Sequence, residues 1–265
     1  MPPLVMGVVN VTPDSFSDGG RYLDHAAAIA HGRALVAQGA DIVDVGGEST
    51  RPGADPVPSA DELGRVLPVV EGLVAAGVRV SIDTRKADVA EAAVAAGASL
   101  INDVSATLAD VAAATGAGFV AMHMLGDPRT MQREPQYRDV VAEVRDFLVE
   151  RAEAAVKAGV GEVWIDPGIG FGKNLEHNLD LLANLDDLVA TGFPVVVATS
   201  RKSSLGVLLG QADRAGATPP VHDRLEGSLA TAAWALWRGA AMVRVHEVAE
   251  TMRVVRKVRA LMAAA

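Results

Sequence analysis

One pattern repeats along the whole chain and limits its possible folds more than any other feature. A short apolar run, rich in β-branched residues, ends in a polar or glycine-rich turn, and an alanine-rich amphipathic stretch follows it. Apolar runs without strict alternation are typical of parallel strands that are buried on both faces. Eight such runs span residues 4–9, 42–45, 78–82, 99–101, 119–122, 163–165, 195–198 and 242–245.

The amphipathic stretches between these runs predict helices. The clearest cover residues 25–38, 61–75 and 140–157, where apolar side chains recur at helical spacing. Alternating strands and helices predict βαβ crossovers and a parallel sheet. Glycines stand where such helices should end, namely at Gly39, Gly77, Gly97, Gly116, Gly159 and Gly192.

Length and composition favour one α/β domain over residues 1–265. A single (β/α)₈ barrel typically needs ~250 residues, and this chain has 265, half of them hydrophobic. No linker or block of charge divides the chain, although residues 126–136 and 210–223 read as longer irregular stretches. We therefore predict one TIM barrel whose active-site loops lie at the carboxyl ends of the strands.

The charge balance restricts the possible partners. The chain carries 33 acidic and 24 basic residues, for a net charge of −9, which argues against nucleic-acid and anionic-membrane binding but allows a small basic pocket. The absence of cysteine excludes disulfides, thiolate nucleophiles and cysteine metal sites. We see no signal peptide and no apolar run that approaches the ~18 residues of a membrane span, so a cytoplasmic location is expected.

Polar residues follow every predicted strand. In a barrel these strand ends share one face, so residues far apart in sequence converge there. A structural alternative is that polar residues commonly begin turns. In chain order the residues are Asn10, Gly46 and Gly47 with Glu48, Asp83, Asn102 with Asp103, His123, Asp166, Ser200 to Lys202, and Arg244 with His246.

Asp83, Asn102 and Asp166 can present acceptors and donors to a planar heterocycle with an amidine-like edge, because a carboxylate matches paired N–H donors. The alternative is a structural ion pair with Arg or Lys. Arg244 and His246 are two residues apart, which places both on one side of a strand. There the arginine could stack on a ring or hold an anion, and the histidine could donate to a phosphate.

The segment 199–203 leaves the seventh strand and begins a helix, which favours an anion site built from N–H groups, hydroxyls and Lys202. Lys202 could instead form an imine, with neighbouring Arg201 lowering its pKa. Two polar, glycine-flanked loops, 10–20 and 46–53, are long enough to act as lids. They carry a lone aromatic, Phe16, and a lone cation, Arg51.

Taken together, these motifs resemble the dihydropteroate synthase family, a pterin-binding family of TIM barrels, over residues 4–260. The matching segments are 6–20, 44–53, 81–84, 101–104, 122–124 with 131–132, 166–173, 200–203 and 243–247. The resemblance implies that 4-aminobenzoate displaces diphosphate from 6-hydroxymethyl-7,8-dihydropterin diphosphate in folate biosynthesis, with Mg²⁺ as cofactor. It also implies a homodimer and a sulfonamide target.

The resemblance further implies roles for particular positions. Pterin and diphosphate binding falls to Asn10, Thr50, Asp83, Asn102, Met122, Asp166, Phe171, Lys202, Arg244 and His246. Aminobenzoate binding falls to Phe16, Thr50, Arg51, Pro52, Gly170, Phe171, Lys202 and Ser203. The expected catalytic residues are Arg51, Lys202, Arg244 and His246, and Asn10 is the expected magnesium ligand.

Three other protein classes could carry part of these motifs. A methyltetrahydrofolate-type methyltransferase would not need the two closing loops, and a non-catalytic paralogue should show damage at the second loop or at the Arg-x-His strand. A generic aldolase would rest on Lys202 alone.

The chain departs from common family residues at Ala198, where many members have glycine, and at Ser204, where a bulky apolar residue is frequent.

Overall fold

The computed structural model describes residues 2–12, 24–49, 53–212 and 219–264. Within these ranges all eight predicted strands form, and every strand pair is parallel. The strands are β1 (Leu4–Asn10), β2 (Ile42–Gly46), β3 (Val80–Asp83), β4 (Leu100–Asp103), β5 (Gly118–Met122), β6 (Val163–Asp166), β7 (Val196–Val197) and β8 (Met242–Val245).

The strands form one sheet in the order β6-β5-β4-β3-β2-β1-β8-β7, and its two ends meet. An isolated parallel bridge joins Ile165 to Val195, and the Ile165 N–H donates to the Pro194 carbonyl at 3.1 Å. The sheet is therefore a nearly closed barrel, as predicted. The seventh strand is shorter than predicted because this single bridge is its only pairing with β6.

Helices alternate with the strands and cover the outside of the barrel. In the described ranges they are α1 (His25–Gln38), α2 (Ser59–Ala75), α3 (Ala87–Ala95), α4 (Ala109–Thr115), α5 (Val140–Ala158), α6 (Leu175–Ala183), α7 (Leu185–Val189), α8 (Ser203–Ala212), α9 (Leu225–Trp237) and α10 (Val248–Ala264). None of these helices is both long and apolar enough to cross a bilayer.

Local chemistry explains where the helices begin and end. Asp24 and Asp139 accept hydrogen bonds from N–H groups in the first turns of α1 and α5, respectively. All six glycines predicted to end helices have positive φ angles, between 72° and 113°, which residues with a Cβ rarely adopt. The stretch 126–136 lacks helix and strand, as predicted. The stretch 210–223 was predicted too long, because α8 continues to Ala212.

Side chains alternate between the barrel interior and the helix-facing side of each strand. An apolar cluster fills the lower interior with Met6, Ile42, Leu100, Val120, Trp164, Val196 and Met242. On four of these strands, the side chain two residues further along is polar. A fifth polar side chain, that of Asp83 at the end of β3, is in register with Gly46 of β2 and Asn102 of β4. We call these five residues the polar layer: Asp44, Asp83, Asn102, Asp166 and Arg244.

Candidate active site

Arg244 lies at the centre of the polar layer and bridges two carboxylates. Its Nε donates to Asp44 Oδ2 at 2.6 Å, and its Nη2 donates to Asp83 Oδ2 at 2.6 Å. Asn102 Nδ2 donates to the same Asp44 oxygen at 2.9 Å. The Asp44 side chain is fully buried, whereas those of Asp83 and Arg244 are 15% and 18% exposed. The network is therefore open towards the mouth of the barrel.

Burial raises the pKa of two acids in this layer, Asp83 and Asp166. Desolvation raises the pKa of Asp83 to about 7, because it outweighs the attraction of Arg244 and is reinforced by the charge of Asp44. Burial also raises the pKa of Asp166, against the opposing charge of Lys202. Burial acts to lower the pKa of Arg244, but Asp44 and Asp83 raise it overall, so the guanidinium stays charged.

Three oxygens of the polar layer are available to a ligand. Asp83 uses Oδ2 for Arg244, Asp166 uses Oδ1 for the Gly168 N–H at 2.7 Å, and Asn102 uses its amide nitrogen. Among the described residues, no donor contacts Asp83 Oδ1, Asp166 Oδ2 or Asn102 Oδ1. Asp44 Oδ1 also lacks a partner among the described residues, but it is fully buried and is not counted with these three. The arrangement therefore suits a ligand that presents several N–H donors on one edge.

Lys202 projects towards the same mouth from the segment before α8. Its Nζ donates to the Ile169 carbonyl and lies 4.5 Å from the centroid of the Phe171 ring. Burial lowers the pKa of Lys202 to about 8, opposed by Asp166 and assisted by Arg244. The predicted lowering is thus present, but its cause is burial and Arg244. The side chain of Arg201 instead pairs with Glu247.

Arg244 and His246, predicted to act side by side, have different neighbours. β8 ends at Val245, and His246 follows it. The Ser200 Oγ lies 2.9 Å from His246 Nδ1, accepts the His246 backbone N–H at 3.2 Å, and donates to Glu247 Oε2 at 3.0 Å. His246 is therefore oriented by Ser200, while Arg244 is held within the polar layer.

The remaining predicted residues fall around the mouth or outside the described ranges. Asn10 ends β1 in register with Gly46, and Met122 ends β5 in register with Asp166. Gly170 has a φ of 84°, and Ser203 begins α8 at an exposed position. The predicted loop residues Phe16, Thr50, Arg51 and Pro52 lie outside the described residues.

Both ends of the second loop are anchored in the described ranges. Glu48 pairs with Arg85 at 2.9 Å and with Lys86, which also pairs with the fully buried Glu62. On the far side of the loop, the Gly53 N–H donates to the Pro128 carbonyl at 3.3 Å. These contacts join the loops that follow β2, β3 and β5 on one face of the barrel.

Comparison with known proteins agrees with this geometry. The family described as pterin binding enzyme matches residues 6–246 of this chain. The dihydropteroate synthase of Mycobacterium leprae (strain TN) is 51% identical over 255 residues, which cover 93% of this chain and 89% of that protein. The chain belongs to the dihydropteroate synthase family.

Solved structures of dihydropteroate synthase share the whole barrel. The Xanthomonas albilineans enzyme with 4-aminobenzoic acid has a TM-score of 0.90 and 48% identity, covering 98% of this chain and 93% of that chain. The same species' enzyme in complex with 7,8-dihydropteroate has a TM-score of 0.85 and 44% identity, covering 98% and 94%. The family resemblance and the predicted barrel are thus confirmed.

Two charged residues of this dihydropteroate synthase family member were given no functional role in the predictions from sequence. Asp44 received no role, although a carboxylate between Val43 and Val45 in a buried strand is a detectable signal. Lys173, which is 2% exposed, also received none. Its partners come from two separate loops, so no local pattern marks it as buried.

Proposed function

We propose that this chain condenses 6-hydroxymethyl-7,8-dihydropterin diphosphate with 4-aminobenzoate to give 7,8-dihydropteroate and diphosphate. The observation that carries the proposal is the set of three unpaired oxygens on Asp83, Asn102 and Asp166. It is supported by family membership and by relatives whose structures hold 4-aminobenzoic acid and 7,8-dihydropteroate.

The pterin ring fits the polar layer chemically. Its amidine-like edge presents N–H donors, which match the free carboxylate and amide oxygens of Asp83, Asp166 and Asn102. Lys202 can donate to the ring's acceptor atoms, and the planar guanidinium of Arg244 can lie against the ring face. Recognition by these groups orients the methylene carbon that carries the diphosphate.

The reaction exchanges one bond for another at that carbon. The aromatic amine nitrogen forms a bond to the methylene carbon, the carbon–oxygen bond to diphosphate breaks with its electron pair on the oxygen, and one amine proton passes to diphosphate or water. Arg244 and His246 place positive charge and an N–H donor where negative charge develops. Family resemblance assigns closure over the aminobenzoate, and thus water exclusion, to Phe16, Thr50, Arg51 and Pro52.

A magnesium ion is compatible with the residues present. Asn10 offers a hard amide oxygen at the mouth, and the described residues contain no group of three or more acidic or histidine side chains that could hold a metal. Mg²⁺ commonly binds through one or two protein oxygens plus substrate phosphates and waters. We assign Asn10 as its protein ligand, and the bound ion would stabilise charge on the diphosphate.

One assay tests the proposed function. The purified chain is given the pterin diphosphate, 4-aminobenzoate and Mg²⁺, and diphosphate release and dihydropteroate formation are followed. Activity that is lost with a chelator and restored by Mg²⁺ supports both the reaction and the ion. Binding of the pterin diphosphate without product would instead identify a non-catalytic pterin-binding protein.

Two variants separate the proposed roles within the site. Asp83→Ala should lose pterin affinity, whereas Asp88→Ala, which removes an exposed carboxylate on α3, should retain it. Arg51→Ala should depress turnover while pterin binding is largely kept. Unchanged turnover in Arg51→Ala would mean that the second loop does not complete the site.

We also propose that the chain forms a homodimer through its last helices. Trp234 and Trp237 on α9 are 45% and 52% exposed, and Leu261 and Met262 on α10 are 60% and 49% exposed. The two helices pack against each other, and large exposed apolar side chains on neighbouring helices favour a protein contact. Light scattering should give a dimer mass that Trp237→Glu halves, whereas Val156→Glu, at an exposed site on α5, leaves it unchanged. A monomeric unmodified chain would disprove the dimer.

A further inference from the structure

Five consecutive carbonyl groups, those of residues 168–172, each accept a hydrogen bond from a side chain. We call these residues the 168–172 segment, which follows β6 and contains Gly170 and Phe171 of the predicted site. No helix or strand pairs these carbonyls, and among them the Gly168 carbonyl also accepts the Phe171 N–H at 3.0 Å across a turn. The side-chain donors therefore add to that turn in holding the conformation of the segment. The donors are Lys173 Nζ to Gly168 at 3.1 Å and to Phe171 at 3.0 Å, Lys202 Nζ to Ile169, Gln132 Nε2 to Gly170 at 2.6 Å, and Tyr137 OH to Gly172 at 2.8 Å.

Lys173 makes the largest share of these contacts from beneath the segment. Besides the two carbonyls, its amino group contacts the His123 Nδ1 at 2.8 Å and the His123 carbonyl at 3.3 Å. Burial and the charge of Lys173 lower the pKa of His123 to about 3, so the ring is neutral and Nδ1 can accept. Burial and the nearby charge of Lys202 also lower the pKa of Lys173 well below its usual value. The buried amino group, surrounded by four acceptors, ties the segment to the end of β5.

The segment packs too closely on this neighbour to move freely. Gly168 and Gly172 have φ angles of 64° and 62°, and a Cβ at either position would collide with the carbonyl oxygen of His123 or Leu125. The N–H groups of Gly168 and Gly170 are held by the Asp166 and Asn178 side chains at 2.7 Å each. The segment therefore has a single tightly packed arrangement.

Lys202 in turn takes its position from this segment. The carbonyl that accepts from its Nζ belongs to Ile169, and the aromatic ring over which the Nζ lies belongs to Phe171. A displacement of the segment would move both contacts together. Small misplacements of substrate-positioning groups are costly to reaction rates.

We propose that Lys173 is a positioning residue whose buried amino group clamps the 168–172 segment and thereby sets where Lys202 and Phe171 stand in the substrate pocket. Gln132, which is exposed, clamps the same segment from the outer side. The consequence for turnover rests on the proposed function, because Lys202 and Phe171 are assigned to its substrates. The clamp itself can be measured without any reaction.

The test compares Lys173→Met, which keeps the length of the side chain but removes its donors, with Leu73→Ala. The second change removes a fully buried side chain of α2, the helix that follows β2, and β2 lies four strands from β6 in the sheet order. At an assay temperature well below the melting temperature of Lys173→Met, we expect this variant to raise the KM for 4-aminobenzoate about tenfold or more. Leu73→Ala should lose comparable thermal stability and keep this KM within about twofold. An unchanged KM in folded Lys173→Met overturns the proposal.

Two further measurements keep the outcome decisive. Amide hydrogen exchange should quicken at Gly168, Gly170 and Phe171 in Lys173→Met and not in Leu73→Ala, whether or not the chain is active. If Lys173→Met does not fold, Gln132→Ala should still raise the same KM about threefold with little loss of stability. If amide exchange does not quicken in Lys173→Met and Gln132→Ala leaves the KM unchanged, the clamp is refuted. If the unmodified chain is inactive but the exchange differences are present, only the proposed reaction is refuted.

Discussion

Replacing Asp44 by asparagine probes the electrostatics of the polar layer with almost no change of shape. The change removes one of the two carboxylates bridged by Arg244, and its charge contributes to raising the pKa of Asp83 to about 7. Carboxylates bridged by one guanidinium lie roughly 6 Å apart, where an effective dielectric constant of about 20 gives a repulsion of about 3 kcal/mol. Because Asp83 is 15% exposed, solvent screens part of this repulsion, and we expect its pKa to fall by roughly 1.

The assay is the pH dependence of binding of 6-hydroxymethyl-7,8-dihydropterin without its diphosphate, followed by calorimetry between about pH 5 and about pH 9. Binding should strengthen as Asp83 ionises, because the ligand's N–H donors prefer the carboxylate. The midpoint should lie near 7 in the unmodified chain. It should lie roughly one pH unit lower in Asp44→Asn.

The matched control is Asp41→Asn at the opposite end of the same strand region. Asp41 is exposed, and its carboxylate accepts the Val5 N–H at 2.8 Å. Its separation from the polar layer is about 10 Å along the strand, so the midpoint should not move. A midpoint that stays constant or rises in Asp44→Asn would show that Asp44 does not control the ionisation of Asp83.

Three further predictions concern stability. Arg244→Met leaves two buried carboxylates without their cation and should lower the free energy of unfolding by about 3–5 kcal/mol in urea; a loss below about 1 kcal/mol contradicts the buried pair. Gly168→Ala should unfold at a clearly lower temperature, because its Cβ meets the His123 carbonyl. As a control, Gly64→Ala in the exposed middle of α2 should raise the free energy of unfolding by about 0.5–1 kcal/mol. The pKa of Asp83 is raised from about 4 to about 7, so its contribution to the free energy of unfolding should fall as pH rises between these two values and stay constant above about pH 7. Urea titrations at several pH values measure this change.

The fold was largely predictable because its signals are local. Each strand is a short apolar run, and each helix-ending glycine has the positive φ that its position requires. The boundaries were less exact, since β3 begins two residues later than predicted and α8 runs into the stretch predicted as irregular. The strand β7 is shorter than predicted because its contact with β6 is a single bridge. The motifs around Asp83, Asn102 and Asp166 were likewise readable, because each ends a strand and strand ends share one face of a barrel.

The sequence by itself therefore determined the elements, the closed architecture and the family. Only the tertiary structure decided which charged and polar side chains contact each other. Arg244 and Asp44 are 200 residues apart, and Lys173 finds His123 50 residues away. Such pairs depend on barrel register and on loops packed against each other, and no periodicity along the chain encodes them. Burial in a low-dielectric interior then gives these contacts their chemical effect, since it makes the pKa of Asp83 respond to Asp44, which lies 39 residues away in sequence.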